Sequence, residues 1–294
     1  MANGRRRLRL LHVSDLHARG GREDEPWRRR RVLGDAWAEH LDTLLQDGSF
    51  DLVAFTGDAA DWGRPDEFAE AAEWLHALLD RIALPSERLF VVPGNHDVDR
   101  SIGADAWQAV RDAAWQIDPL AFTRWLHGGR PPLGVGPAWR EAVFERLAAY
   151  RAWVRDDLGR PELVAADGPH AYRQTLDHHG TPIHVIGLDT AWLCGGDDDA
   201  GNLRVTDQQA MGQLSDTDGA PLGGFRLVLM HHPLDDLVDT DREVVRRCLA
   251  EHADLVLRGH LHSTEVSTWA DPDRQLRQLA AGCLYEGHQG DRFP

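Results

Sequence analysis

Five short apolar runs punctuate the chain, and each runs straight into a polar cluster rich in Asp, His or Asn. Residues 8–13 lead into Ser14-Asp15-Leu16-His17, residues 52–55 into Thr56-Gly57-Asp58, and residues 89–92 into Pro93-Gly94-Asn95-His96-Asp97. Further on, residues 227–230 lead into His231-His232-Pro233, and residues 255–257 into Arg258-Gly259-His260-Leu261-His262. Their shortness and the turn residues behind them predict strands. Helical periodicity over about 27–46 and 65–82 separates the first three. Pro65 suits a first helical turn, with Asp66 and Glu67 at the positive end of the dipole. Strand and helix in alternation predict an α/β fold with a mostly parallel central sheet. Such sheets bind ligands beyond the carboxyl ends of their strands, where all five polar clusters fall.

The pattern changes over about 101–159, which is rich in Trp and Ala. Two helical parts, about 104–115 and 139–158, flank Pro131, Pro132, Gly134, Gly136 and Pro137. The segment reads as a helical insertion, either a lid over the strand ends or a layer packed on the sheet edge. Trp107, Trp115, Trp125, Trp139 and Trp153 are expected in the core rather than as platforms for bases. Beyond it, 170–176 and 183–188 read as neighbouring strands, and 266–269 with 275–281 as a closing hairpin. Asp197-Asp198-Asp199 lacks the spacing of a calcium loop and reads as an exposed acidic turn.

Composition narrows the chemistry. The chain has 294 residues, 42% of them hydrophobic and 27% charged, enough for a core without staples. No apolar stretch reaches membrane-spanning length. All 32 basic residues are Arg, so Schiff-base and P-loop lysine chemistry are excluded. A formal charge of -16 argues against broad wrapping of a nucleic-acid backbone, though not against a phosphate held by metal. Three scattered cysteines suggest neither a disulfide framework nor a thiolate zinc site. Arg9 interrupts the N-terminal apolar run before signal-peptide length, which makes the cytoplasm the expected location.

The clusters themselves look like ligand sets. In extended backbone, residues i and i+2 face one side, so Asp15 with His17, and His260 with His262, can each converge on one ion. Asp58 offers a carboxylate at a strand end and Asn95 a neutral amide oxygen. Oxygen and imidazole donors suit Mn, Fe or Zn, rather than Mg, which prefers oxygen and retained water.

Taken in order, Asp15-x-His17, Gly57-Asp58-x-x-Asp61, Gly94-Asn95-His96-Asp97, His231-His232-Pro233 and Gly259-His260-x-His262 resemble the calcineurin-like metallophosphoesterase superfamily. The likeness runs from about Arg9 to Ala281. It implies a four-layer α-β-β-α sandwich and a centre of two divalent ions. Carried over by position, one ion takes Asp15, His17, Asp58 and His262, and the other takes Asp58, Asn95, His231 and His260. His231 is the ligand because the family motif aligns the first His; His232 then lies adjacent. The resemblance also implies that His96 faces the phosphate, stabilises the transition state and protonates the leaving oxygen, that Asp97 orients His96, and that Asp61 is a structural hydrogen-bonder. Attack on the phosphorus by a hydroxide bridging the two ions is the expected reaction.

The motif variant bears on the substrate. The protein-phosphatase branch reads GDxxDRG and GNHE, whereas here Trp62 stands in place of that Arg and the second motif ends in Asp97. This is similar to the cyclic-nucleotide phosphodiesterase and nuclease branches, although the 101–159 insertion departs from the compact cyclic-nucleotide enzymes. A phosphodiesterase acting on nucleic acid or a nucleotide is expected. A phosphomonoesterase and a non-catalytic metal-binding scaffold are the alternatives. Residues 1–294 are expected to form a single domain. Related domains add a strand after the segment matching 279–283, so further domains of a longer chain are expected as partners. Arg100 reads as a partner of surface carboxylates rather than of a phosphate, and Arg5-Arg6-Arg7 and Arg28-Arg29-Arg30-Arg31 read as solvated faces rather than as a nucleic-acid track.

Overall fold

A computed structural model describes residues 7–165, 168–196 and 199–285; the side chains of Trp115 and Gln116 are outside this description. Asp197, Asp198, Arg5, Arg6 and the chain beyond Tyr285, on which sequence expectations bore, also lie outside the described residues.

The strands divide between two sheets rather than one. β1 (Leu10–Val13), β2 (Leu52–Phe55) and β3 (Leu89–Val91) form a parallel sheet in that order, with Leu10 opposite Leu52 and Val53 opposite Leu89. β2 is buried along its whole length, as expected of a central parallel strand covered on both faces. The second sheet has six strands in the order β4 (Ala171–His178), β5 (Thr181–Leu188), β6 (Phe225–Leu229), β7 (Leu255–Arg258), β9 (Gln275–Ala280) and β8 (Glu265–Ala270). β5, β6, β7 and β9 are mutually parallel; β4 and β8 pair antiparallel at the two edges. The single central sheet expected from strand spacing is therefore corrected to two, the mixed α/β architecture that the resemblance implied. The sheets meet where the Tyr172 hydroxyl of β4 donates to the Val91 carbonyl of β3 (3.0 Å).

Helices enclose the sheets. α1 (Pro26–Arg30) and α2 (Trp37–Leu45) are one run interrupted by a wider π-helical stretch, Arg31–Ala36, that contains Gly34, a poor helix former. α3 (Pro65–Arg81) buries Phe68, Ala71, Leu75 and Leu79 along one stripe. The 101–159 segment holds α4 (Ala104–Gln116), α5 (Pro119–Leu126), α6 (Trp139–Glu145) and α7 (Ala148–Ala152), followed by a wide turn, Trp153–Asp157. Its second helical part is thus shorter pieces rather than one helix. α5 starts where the Asp118 carboxylate accepts from the Ala121 amide and Pro119 opens the first turn. Trp125 and Trp153 are fully buried, and Trp153 stacks on Phe68 of α3 with centroids 5.2 Å apart. Trp107 donates from Nε1 to the Leu193 carbonyl (2.8 Å). α8 (Asp207–Leu214) packs on β4 and β5, and α9 (Asp239–His252) on β9. Among the described residues no helix is long and apolar enough to cross a membrane.

Candidate metal centre

The five polar clusters converge between the carboxyl ends of β1, β2 and β3 on one side and of β6 and β7 on the other. Two groups of donors form around one carboxylate. In the first, the Nε2 atoms of His17 and His262 face each other at 3.2 Å, Asp15 Oδ1 lies 3.3 Å from His262 Nε2, and Asp58 Oδ2 lies 3.9 Å from His17 Nε2. In the second, His231 Nε2 is 3.2 Å from both Asp58 Oδ2 and Asn95 Oδ1, and Asn95 Oδ1 is 3.0 Å from His260 Nδ1. Asp58 Oδ2 is common to both groups. All seven residues expected as ligands are therefore brought together.

How they come together differs from the expectation. The strands end at Val13 and Arg258, before the ligands begin. Asp15 (φ 59°), His17 (46°), Asp58 (57°), His260 (75°) and His262 (53°) all adopt left-handed backbone, as do only two other described non-glycine residues, Ala83 and His179. Convergence comes from these turns and not from strand alternation. Two glycines make room: Gly57, itself at φ 99°, could not carry a Cβ without striking His231, and a Cβ on Gly94 would strike the Asp58 carboxylate.

The donors fit divalent ions. Asp15 Oδ1 is buried and outside any well-formed hydrogen bond. Imidazole nitrogens and carboxylate oxygens face one another at 3.2–3.9 Å, the arrangement that donors to a shared ion adopt. The His231 imidazole Nδ1 is 2.6 Å from the Thr56 carbonyl; donation there leaves Nε2 for a metal and fixes the ring. Burial alone would lower His231, but the Asp58 and Asp15 carboxylates outweigh it and push the ring up to about 9. Burial alone would likewise raise Asp58, yet His231, His96 and His17 hold it well below the usual carboxylate range. Burial pushes His17 and His260 down to about 4.

The expected contact between Asp97 and His96 is replaced by another. Asp97 is buried, and its carboxylate accepts from three backbone amides: Asp58 (2.9 Å), Gly94 (2.8 Å) and Ala60 (2.9 Å). Its oxygens are thus committed to the backbone that carries the Asp58 and Asn95 donors. Burial and the nearby Asp58 charge push its carboxyl up to about 7 despite those amides. His96 instead directs Nδ1 at Asp61, 2.8 Å from its carbonyl and 3.6 Å from its carboxylate. The His96 amide donates to Asp58 Oδ1 (2.8 Å). His232 lies behind the centre, 2.8 Å from the Thr190 hydroxyl through Nδ1 and 3.5 Å from Cys194 Sγ through Nε2.

Three neighbours were not foreseen. Asp236 stands 3.5 Å from His260 Nε2, the ring atom turned away from Asn95. Cys283 donates its thiol to the Asp15 carbonyl (3.2 Å) and groups with His17 and His262, although no cysteine spacing marks it. Glu67 is fully buried and accepts from the Trp62 (2.8 Å) and Arg64 (3.1 Å) amides. Its place in the first turn of α3 was legible, but the contacts were not.

The fold and this donor set are those expected of a metal-dependent phosphoesterase. The chain belongs to the calcineurin-like phosphoesterase family, whose model matches residues 8–264. Over 213 residues it is 30% identical to a cAMP/cGMP dual specificity phosphodiesterase of Mycobacterium tuberculosis, which covers 70% of this chain and 56% of that protein. Over 97 residues it is 30% identical to the uncharacterized metallophosphoesterase-like protein YydB of Bacillus subtilis, covering 33% of this chain and 19% of that one. The chain thus spans about half the length of the first relative and a fifth of the second. Among solved structures, the NAD nucleotidase of Haemophilus influenzae overlays 94% of this chain on 45% of its own, with a TM-score of 0.44 and 12% identity.

Proposed function

We propose that this chain is a metal-dependent phosphodiesterase acting on nucleotide or nucleic-acid phosphodiesters, with Asp15, His17, Asp58, Asn95, His231, His260 and His262 holding two divalent ions of the Mn, Fe or Zn type. The observation that carries the reading is the pair of donor groups sharing Asp58 Oδ2. The M. tuberculosis relative, named as a cyclic-nucleotide phosphodiesterase, supports a diester substrate. Bound ions of this kind supply Lewis acidity at phosphoryl oxygens and lower the pKa of a water.

The protein's own residues supply the rest. Asp15 and Asp58 offset half the charge of two divalent ions, leaving a positive site for a singly charged diester. His96, half-buried at the edge of the cluster, donates from Nδ1 to the Asp61 carbonyl, which leaves Nε2 as the atom that carries a proton to the departing oxygen. Asp61 therefore takes the orienting role first given to Asp97, and Asp97 keeps the ligand loop in shape. Residues 1–294 act as one domain, in which 101–159 is a packed wall beside the site, consistent with Trp153 seated on Phe68.

The test compares bis(p-nitrophenyl) phosphate with p-nitrophenyl phosphate on Mn²⁺-loaded protein, followed by cyclic nucleotides and end-labelled single-stranded DNA. Faster turnover of the diester is expected, and preference for the monoester would replace this reading with a phosphomonoesterase. His96→Ala is expected to lower turnover of an unactivated diester by about 10²–10⁴-fold with metal content unchanged. Protein that binds metal and hydrolyses neither ester would be a scaffold.

A further inference from the structure

Beside the metal cluster lies a cavity of about 280 Å³ lined by Asp61, Trp62, Arg64, His96, Arg100 and Ser101, among others. Trp62 is the unusual member: its side chain is large, apolar and 52% exposed, yet it is held in place from several sides. The Arg22 guanidinium lies 3.5 Å from the centre of its ring and covers one face. Arg22 is itself fixed by ion pairs to Glu67 and to Asp61 (3.1 Å to the latter). Glu67, buried in the first turn of α3, also takes the backbone amides of Trp62 and Arg64. An isolated surface aromatic needs no explanation. An exposed indole pinned by a buried carboxylate and a stacked cation is different, because its position is set before anything binds.

Its location relative to the reacting groups is also set. The residue before it, Asp61, touches His96 through its carbonyl and lies 3.9 Å from His17 Nδ1 through its carboxylate. The indole therefore sits on the same short loop as Asp58, whose Oδ2 is common to both donor groups. The carboxylates of the cavity are occupied locally: Asp61 by Arg19 and Arg22, and Asp99 by the amide and hydroxyl of Ser101. Arg64 and Arg100, both exposed, add positive charge at the cavity wall in a chain of net charge -16.

An aromatic face, two guanidinium groups and an adjoining phosphate-binding centre match a ligand that is planar at one end and anionic at the other. We propose that this cavity is a nucleoside subsite, in which a nucleobase stacks against Trp62 beside Arg64, whose guanidinium lies 5.7 Å from the ring centre, while its phosphate reaches the metal centre past His96. The cavity sits at the low end of small-molecule pockets, about 300–1,000 Å³, so it takes one nucleoside and not a run of bases. This specifies the substrate of the site proposed above and rests on that reading.

The experiment is calorimetric titration of Mn²⁺-loaded protein with adenosine 5′-monophosphate and with ribose 5-phosphate, for the unmodified chain, Trp62→Ala and Trp62→Phe. Stacking of one base is worth about tenfold or more in affinity. The monophosphate is expected to bind at least tenfold tighter than ribose 5-phosphate, Trp62→Ala to remove that advantage, and Trp62→Phe to keep most of it. Circular dichroism verifies that each variant is folded. Equal affinity for the two phosphates, or Trp62→Ala binding the nucleotide as the unmodified chain does, overturns the subsite. Hydrolysis of bis(p-nitrophenyl) phosphate, measured in parallel, judges the catalytic reading alone: a base-dependent affinity with no hydrolysis refutes the enzyme and leaves the subsite standing.

Discussion

Replacing Asp97 separates two accounts of the GNHD motif. If its carboxylate served His96, Asp97→Asn would lower turnover and leave stability alone. The structure shows the carboxylate accepting from the amides of Asp58, Gly94 and Ala60 at 2.8–2.9 Å, inside a fully buried pocket. Two of these bonds share Oδ2, and the third goes to Oδ1. Asparagine keeps one oxygen, which can serve the Asp58 and Gly94 amides, and turns its NH₂ group towards Ala60. One buried N–H then lacks an acceptor, at a cost of about 1–3 kcal/mol. In a chain of this size that lowers Tm by roughly 2–12 °C. Alanine orphans all three amides, about 3–9 kcal/mol by the same reckoning, against a total stability of about 5–15 kcal/mol. Because the Asp58 amide is one of the three, metal affinity falls with stability. Thermal denaturation with and without Mn²⁺, beside a metal titration, measures both. Asp97→Asn with unchanged Tm and metal affinity but reduced turnover would refute the bracing role.

Further outcomes follow from the same geometry. His231 is held protonated to about pH 9 in the metal-free chain and must give up its Nε2 proton to bind, so apparent metal affinity is expected to rise with pH through neutrality and level off near 9. Calorimetry in buffers of different ionisation enthalpy reads the released proton, and buffer-independent heats would contradict it. Chelation is expected to lower Tm, and metal at a hundredfold excess over its Kd to restore about 2.7 kcal/mol, or roughly 5–11 °C; scanning calorimetry measures this, and coincident transitions would sink it. Trp153→Ala, which empties a fully buried site stacked on Phe68, is expected to cost about 3–5 kcal/mol by urea denaturation, whereas a cost below about 1 kcal/mol would mark the 101–159 segment as a loosely attached lid.

What the sequence disclosed follows the physics of each feature. Apolar runs ending in polar clusters located the strands that feed the site, because strand length and turn residues are local signals. Which sheet a strand joins is not local, so β1–β3 and β6–β7 read as one sheet although they belong to two. α5, α8 and α9 escaped notice, although Asp118-Pro119 and Thr206, whose hydroxyl accepts from the Gln209 amide, are start signals that could have revealed two of them. The seven donor residues were picked out by motif order. The contacts of His96 were not legible: Asp97 follows it directly and Asp61 lies 35 residues before it, yet the path of the backbone brings Asp61 to the imidazole.

That path explains why the motifs have the residues they do. Five donor residues in left-handed backbone cost of order 1–3 kcal/mol each, together comparable with the stability of a whole domain. Something must hold them there. The amides of Asp15 and His17 donate to the Gly57 and Asp58 carbonyls (3.0 Å each), the Leu284 amide to the Ser14 carbonyl (3.0 Å), and the Asp97 carboxylate gathers the amides around Asp58. Gly57 and Gly94 remove the side chains that would block this closure. Each motif therefore carries residues of two kinds, those that offer donors to an ion and those that keep the donors' backbone in a conformation it would otherwise leave. Asp97 belongs to the second kind and Asp58 to both, since its side chain joins the two donor groups while its amide is part of the brace. A substitution in either set is expected to disturb the centre, but only loss of a bracing residue does so by way of the fold.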